Sequence, residues 1–469
     1  MTPLASCPGT RAPHARSRGV AAVVIATLML GLAALRASPA RAQDAPTTLG
    51  FADALALART GPDVALAELG LSQAEAARGV TSTTASGTLQ GGYSQRWTDA
   101  TGFAPRRSGL APFTLNATFN VVPYGPGHDA RMAADRAVET ARMTLQDTVA
   151  QATASAAQAY LQALRGNQRV GIDAAAVDQA QATLAHAQAL RARGDATDDD
   201  VATAQVDLAQ ARTTLASDHL TLQSALASLS GVLGRPVSAV AGEPSTSQDP
   251  QSDTPAGVDR RSDVRQAALA LDGSHQDYAA AVRQVLPTAA ASASVQGGDG
   301  NTTWNAGLGF DTNSFQPSLQ AGVTPGGSTL STSSALNGTS FAVALSVTIP
   351  LDTGLGPALD SARLSLSAAQ QKLDRTRELA GAAIEAARRT LQTAKLNVSL
   401  TAAQRDLAAS RAALAAQRLA LGLVAQPAVD QAELAARQAQ LAWLSAQDAV
   451  LLDRMALAQA LGLDPMEVF

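Results

Sequence analysis

Aromatic side chains are scarce: Phe, Tyr and Trp together make up 3% of the 469 residues, and charged residues 16%. So few rings argue against the large aromatic-filled cores of ordinary soluble enzymes. Cysteine is rarer still, with Cys7 alone, and it precedes the apolar stretch from Val20 to Leu35 rather than ending it, which excludes a lipoprotein-type lipidation site. Arg11, Arg16 and Arg18 before that stretch, and Ala40-Arg41-Ala42 after it, make residues 1–42 a signal peptide with cleavage after Ala42. Its apolar core is shorter than the roughly 20 residues of a spanning helix. The segment carries five arginines and no acid, so the rest of the chain has 30 basic against 39 acidic residues, net −9. That balance disfavours nucleic acid, which calls for a basic face. Beyond residue 42 no apolar run approaches about 20 residues, so no transmembrane helix is expected there. A secreted acidic chain without disulfides must be held by packing or by assembly.

Proline is missing from two long stretches, between Pro126 and Pro236 and between Pro357 and Pro427. Nothing there forces a helix to break, and the apolar content, mostly Ala, Leu and Val, suits long helices that approach closely. A helix over residues 130–190 would span roughly 90 Å. Leu400, Leu407, Leu414 and Leu421 recur every seventh residue, the spacing of a coiled-coil seam. Ala152, Ala156, Ala159 and Ala163 form a second stripe made of small side chains.

The chain also repeats itself. Asp63-Val64 returns as Asp263-Val264 at an offset of 200, and Val122-Pro123-Tyr124-Gly125 as Ile349-Pro350-Leu351-Asp352 at 227. Gly194 and Gly234 return as Gly422 and Gly462 at 228. Four landmarks in one order mean two tandem copies, residues 43–241 and 260–469, joined by a Pro/Ser/Asp/Gln-rich linker at 242–259. The jump in offset places an insert of about 27 residues in the second copy, within 297–339.

Each copy contains strands with a period of two. Phe113, Leu115, Ala117, Phe119 and Val121 alternate with Thr and Asn, and Phe341, Val343, Leu345, Val347 and Ile349 alternate with Ala, Ser and Thr. Weaker alternation at residues 89–97 and 289–295 supplies a partner strand for each, so every copy contributes a hairpin. Within the insert, Trp304–Asp311 and Leu319–Val323 could form a further hairpin. A lone hairpin is marginal in water, whereas strands of about 9–11 residues suit a tilted bilayer crossing. Four strands cannot close a barrel, because membrane barrels start at about eight, so several chains would share one. Phe113, Leu115, Phe119, Phe341, Val343, Leu345, Val347 and Ile349 are then expected to face lipid.

This layout resembles the TolC-like outer-membrane efflux proteins, the outer-membrane factors of tripartite efflux pumps and type I secretion systems. The resemblance covers residues 47–466. It rests on the duplicated helix-strand-strand-helix plan, on the junctions Val122-Pro123-Tyr124-Gly125-Pro126-Gly127 and Ile349-Pro350-Leu351-Asp352-Thr353-Gly354, and on two turns. The turns are Arg193-Gly194-Asp195-Ala196-Thr197, followed by Asp198, Asp199 and Asp200, and Leu421-Gly422-Leu423-Val424-Ala425. The resemblance implies an α+β membrane protein: a homotrimer sharing one 12-stranded β-barrel, continued by a long α-helical coiled-coil barrel through the periplasm. It implies junction roles for Pro123, Gly125, Gly127, Pro350, Asp352 and Gly354, and makes both turns contact tips for a periplasmic adaptor (membrane fusion protein). Through the adaptor the duct would serve an inner-membrane pump of RND, ABC or MFS type. The family's gating Tyr, Arg and acids do not carry over, since the matching positions are Leu419, Val424, Ala428 and Gln431.

The acids Asp198, Asp199 and Asp200 fit two roles, helix-start electrostatics or a ring of charge at the tunnel entrance. Enzyme chemistry has no foothold. His128, His186, His219 and His275 lack the spacing of a helical metal site, Asp299-Gly300-Asn301 lacks the remaining ligands of a calcium loop, and no cofactor is expected. A periplasmic coiled-coil adaptor and a trimeric surface fibre are the alternatives. An adaptor would carry short β-rich domains around one helical hairpin, whereas this chain duplicates a helix-strand-strand-helix unit, and a fibre has no need of amphipathic strands in mid-chain.

Overall fold

The computed structural model describes residues 48–81, 85–91, 94–98, 106–110, 113–119, 126–244, 248–250, 254–298, 302–312, 317–325, 338–351 and 353–469, all in one compact unit, Thr48–Phe469. The expected signal peptide, residues 1–42, lies outside the described residues.

Two very long helices set the dimensions. α3 (Pro126–Arg193) and α7 (Leu355–Ala420) have 68 and 66 residues, so each extends roughly 100 Å. Pro126 opens the first at a position where its missing N–H costs nothing, Pro357 sits in the first turn of the second, and no proline follows in either. Each is flanked by two shorter helices. α2 (Pro62–Thr81) and α4 (Asp198–Leu233) pack on α3, while α6 (Ser262–Val285) and α8 (Gln426–Ala460) pack on α7. α8 also packs on α3, which joins the two groups.

The main core gathers where α1 (Phe51–Ala58), α3, α4 and α8 meet. The Ala156, Ala159 and Ala163 stripe is buried there against Leu55, Leu229, Leu233 and Met455, and these small side chains let the helices approach. Phe51 stacks edge-on against Tyr160 at 5.3 Å and Phe469 at 5.5 Å. The Tyr160 hydroxyl donates to the Ala241 carbonyl at 2.7 Å, and a two-residue parallel pair, β1 (Thr48–Leu49) with β6 (Ala239–Val240), closes one side. Arg165, 11% exposed, donates bidentately to buried Asp448 (2.6 and 2.9 Å) and again to Glu243 (2.6 and 2.9 Å). That single side chain ties α3, α8 and the inter-copy segment together.

The segment read as a linker is more ordered than its composition suggests. Its end is helical, in α5 (Thr254–Arg260), and Asp249 pairs with Lys395 of α7 and with Arg454 of α8.

Besides the β1–β6 pair, the described strands form one six-stranded antiparallel sheet and a further pair. The sheet runs β10 (Gly338–Thr348), β7 (Thr288–Gly298), β8 (Thr302–Asp311), β9 (Ser318–Pro325), β5 (Phe113–Phe119), β2 (Ala85–Gly91). The pair is β3 (Ser94–Thr98) with β4 (Arg106–Leu110). Among the described residues this sheet has six strands, two more than one hairpin from each copy supplies. The physical reason is the insert: its two alternating segments, β8 and β9, hydrogen-bond to each other and fill the space between β7 and β5.

Candidate functional site: strand wall and helical turns

Register decides the faces of the sheet, because directly opposed residues point the same way. One row reads Phe341, Val295, Ala306, Ala321, position 115 and Leu89, and the next reads Val343, Ala293, Leu308, Leu319 and Ala117. The rows between are polar or small: Ala342, Ser294, Gly307, Gln320, Asn116 and Thr88. Within one chain the apolar face has no cover. Phe341, Val343, Leu345, Val347 and Ile349 are between 63% and 76% exposed, and Leu308 and Leu89 are 62% and 75% exposed. The apolar residues of β10 thus share one face of the sheet. Phe113, Leu115 and Phe119 lie on β5 in the matching parity, and their side chains are outside the described set.

At the strand-to-helix junctions the structure is plainer than the motif. Gly127 lies in the first turn of α3, and Gly354 caps α7 at φ −75°, a region open to every residue, so no glycine-only geometry is required there. Pro350 follows β10 in irregular chain, while Pro123, Gly125 and Asp352 are outside the described residues.

The opposite ends of the long helices carry the two turns. Gly194 (φ 85°) and Gly422 (φ 71°) are left-handed, as helix-terminating glycines commonly are. In both, the glycine N–H donates back three residues, to Arg191 and Leu419, each at 2.9 Å. The following N–H donates back five, to Leu190 at 2.9 Å and Arg418 at 2.8 Å. Gly234 and Gly462 end α4 and α8 with the same pair of bonds.

The turns differ in chemistry. The first is polar: Arg193, Asp195 and Thr197 are exposed and Ala196 half-buried, and Thr197 caps α4 by accepting from the Asp200 N–H while its own N–H donates to Asp200 Oδ2 at 2.8 Å. These hydrogen bonds from Thr197 hold the Asp200 carboxyl below its usual range. Asp198 pairs with Arg191. Two of the three acids thus have local partners at the helix start, and Asp199 is exposed. The second turn is apolar: Leu421 and Leu423 are 73% and 69% exposed, with Val424 half-buried and Ala425 at the cap. At the positions where the family has its gate, Ala428 donates its N–H to the Ala425 carbonyl in the first turn of α8. Leu400, Leu407 and Leu414 continue from this tip along α7 at 45–57% exposure, so they are not a seam within the chain. The seam that α7 does bury runs Leu373, Ala380, Ile384, Leu391.

Among the described residues no group of His, Cys, Asp or Glu is placed to hold a metal, and no helix is long and apolar enough to cross a membrane.

Residues 54–235 match the family model described as Outer membrane efflux protein. The match covers 182 of the 469 residues, all in the first half of the chain. The family is one of channels. No curated protein matches in sequence. Among solved structures, the CmeC outer membrane channel of Campylobacter jejuni aligns with a TM-score of 0.66 at 14% identity, over 88% of this chain and 85% of that one. The outer membrane protein VceC of Vibrio cholerae aligns at 0.61 and 19%, over 88% and 96%. The open MtrE outer membrane channel of Neisseria gonorrhoeae aligns at 0.60 and 17%, over 89% and 90%. At these identities the likeness is one of fold, and it spans nearly the whole of each chain. By its description, the matched model is of outer-membrane proteins.

Proposed function

We propose that three copies of this chain form the outer-membrane exit duct of a tripartite efflux pump or type I secretion system, exporting small molecules or polypeptides. The observation that carries this reading is the joining, in one chain, of a sheet with an uncovered apolar face to helices roughly 100 Å long. Such a sheet is stable in lipid only as part of a closed barrel, since every edge N–H and C=O must be paired. Assembly also supplies a cover for Leu400, Leu407 and Leu414. Two tandem copies support a quasi-regular ring of helices around the axis: the matched glycines close their helices with the same bonds, and the paired helices have 68 and 66, then 36 and 35 residues.

The turns Arg193–Thr197 and Leu421–Ala425 are the contact tips for a periplasmic adaptor, through which an inner-membrane pump is reached. They are exposed, rigidly held by capped helices, and lie at the far end of the helices from the strands. The test is Leu423→Glu and Ala196→Arg in cells. Both variants should retain a dye or drug that the native protein exports, while membrane extracts still show the trimer. Normal export by both, with normal assembly, would remove the tips from the docking interface.

A further inference from the structure

Four features place the β8–β9 hairpin in the barrel wall and not beside it. The hairpin is hydrogen-bonded on both flanks, β8 to β7 over nine residue pairs from Ala290↔Asp311 to Gly298↔Thr303, and β9 to β5 over six. Its apolar side chains are in phase with the rest of the sheet: Trp304, Ala306, Leu308 and Leu319 fall on the same face as Val295 and Phe341, and Asn305, Gly307 and Gln320 on the other. Its side chains also fit glycines, one in the neighbouring strand β7 and one within the hairpin. A Cβ on Gly297 of β7 would lie 2.7 Å from the Trp304 ring, and one on Gly322 of β9 would strike Asn305. Finally, the number of strands is even and all neighbours are antiparallel, so the two edge strands, β10 and β2, run in opposite directions. A rotated second copy can then pair its β2 with this copy's β10 and continue the antiparallel ladder. Neither edge has a partner among the described residues.

We propose that β10 of one copy joins β2 of the next and that the hairpin is part of the wall, so that the trimer closes an eighteen-stranded barrel. This rests on the exit-duct reading above and goes beyond it, since that reading implies four strands per copy. Barrel diameter grows roughly linearly with strand number, and barrels of about 16–18 strands enclose an open aqueous channel. The outer end of this duct would be about one and a half times as wide as a twelve-stranded one. Its narrowest passage would therefore lie in the helical part, and the barrel would admit whatever the helices let through.

Thiol accessibility tests the wall directly. Full-length protein carrying Cys7→Ser and one introduced cysteine, at Leu345→Cys, Leu308→Cys or Gln320→Cys, is reconstituted in liposomes and treated with a membrane-impermeant maleimide. Protection at Leu345 and Leu308, with labelling at Gln320 from the lumen, is the expected result. Protection at Leu345 with labelling at Leu308 would overturn the eighteen-stranded wall and leave the duct standing, because the hairpin would then sit in water. Protection at both Leu308 and Gln320 would overturn it too, by placing the hairpin inside packed protein. Labelling at Leu345 would remove the duct reading along with the wall.

Discussion

At the scale of single residues, the acids and glycines show what local chemistry settles. Asp173 on α3 is pushed up to about 6 by burial and by Asp218 opposite it, with Arg169 pulling the other way. The folded chain keeps this proton between about pH 4 and 6, where the unfolded chain has released it, so this group's contribution falls as pH rises through that window. Asp173→Asn should therefore raise the unfolding midpoint at pH 7 and flatten its decline between pH 4 and 6. An unchanged profile by thermal melts would rule the Asp173–Asp218 contact out as the cause. Gly194→Ala and Gly422→Ala place a Cβ in the left-handed region, at about 1–2 kcal/mol each. Nothing lies within 4 Å of either Cβ, so the cost is conformational and local, and hydrogen exchange should speed up at the tips but not in the core. Helix-start chemistry was legible in the run of acids, while the box that Thr197 makes with Asp200 is a finding of the structure. The Arg165–Asp448 pair was not legible, since its partners stand 283 residues apart and neither has a local motif.

At the scale of elements, alternation marked most strands of the large sheet and its apolar face but not β1, β4 or β6, while hydrogen-bonded register told where the strands go. Leu345→Arg puts a charge on the uncovered face and should cost about 2–4 kcal/mol of barrel stability if that site is near mid-bilayer. Ser346→Arg, on the other face, should chiefly change conductance, and equal loss of stability at both would contradict the assignment. The leucine heptad shows the limit of periodicity. Spacing identifies a stripe, and both Leu400–Leu414 and Leu373–Leu391 are stripes on α7, but only packing decides which of them is covered within the chain. The insert is a similar case. Two short alternating segments announce a hairpin, yet its insertion between β7 and β5 depends on partners about 200 residues apart in sequence. Composition did not show that Asp249, within 242–259, binds Lys395 and Arg454.

At the scale of the whole molecule, two parts with different solvents are joined by continuous helices. The core around Tyr160 is that of a water-soluble bundle, and its cross-tie is charged. Arg165→Ala leaves Asp448 buried without its partner and should destabilise the helical part by about 3–5 kcal/mol, measured by denaturant unfolding of the detergent-solubilised protein. The sheet has no such core among the described residues, and in the proposed duct its stability depends on lipid and on neighbouring copies. The central claim is that several copies close this sheet into a single duct. Electron cryo-microscopy of the detergent-extracted full-length protein tests it most directly. The account predicts a threefold ring in which the apolar face carrying Phe341, Val343 and Leu345 meets detergent and the strands run on into a helical tunnel. A particle in which that face is packed against protein, or in which no continuous passage joins strands to helices, would contradict it.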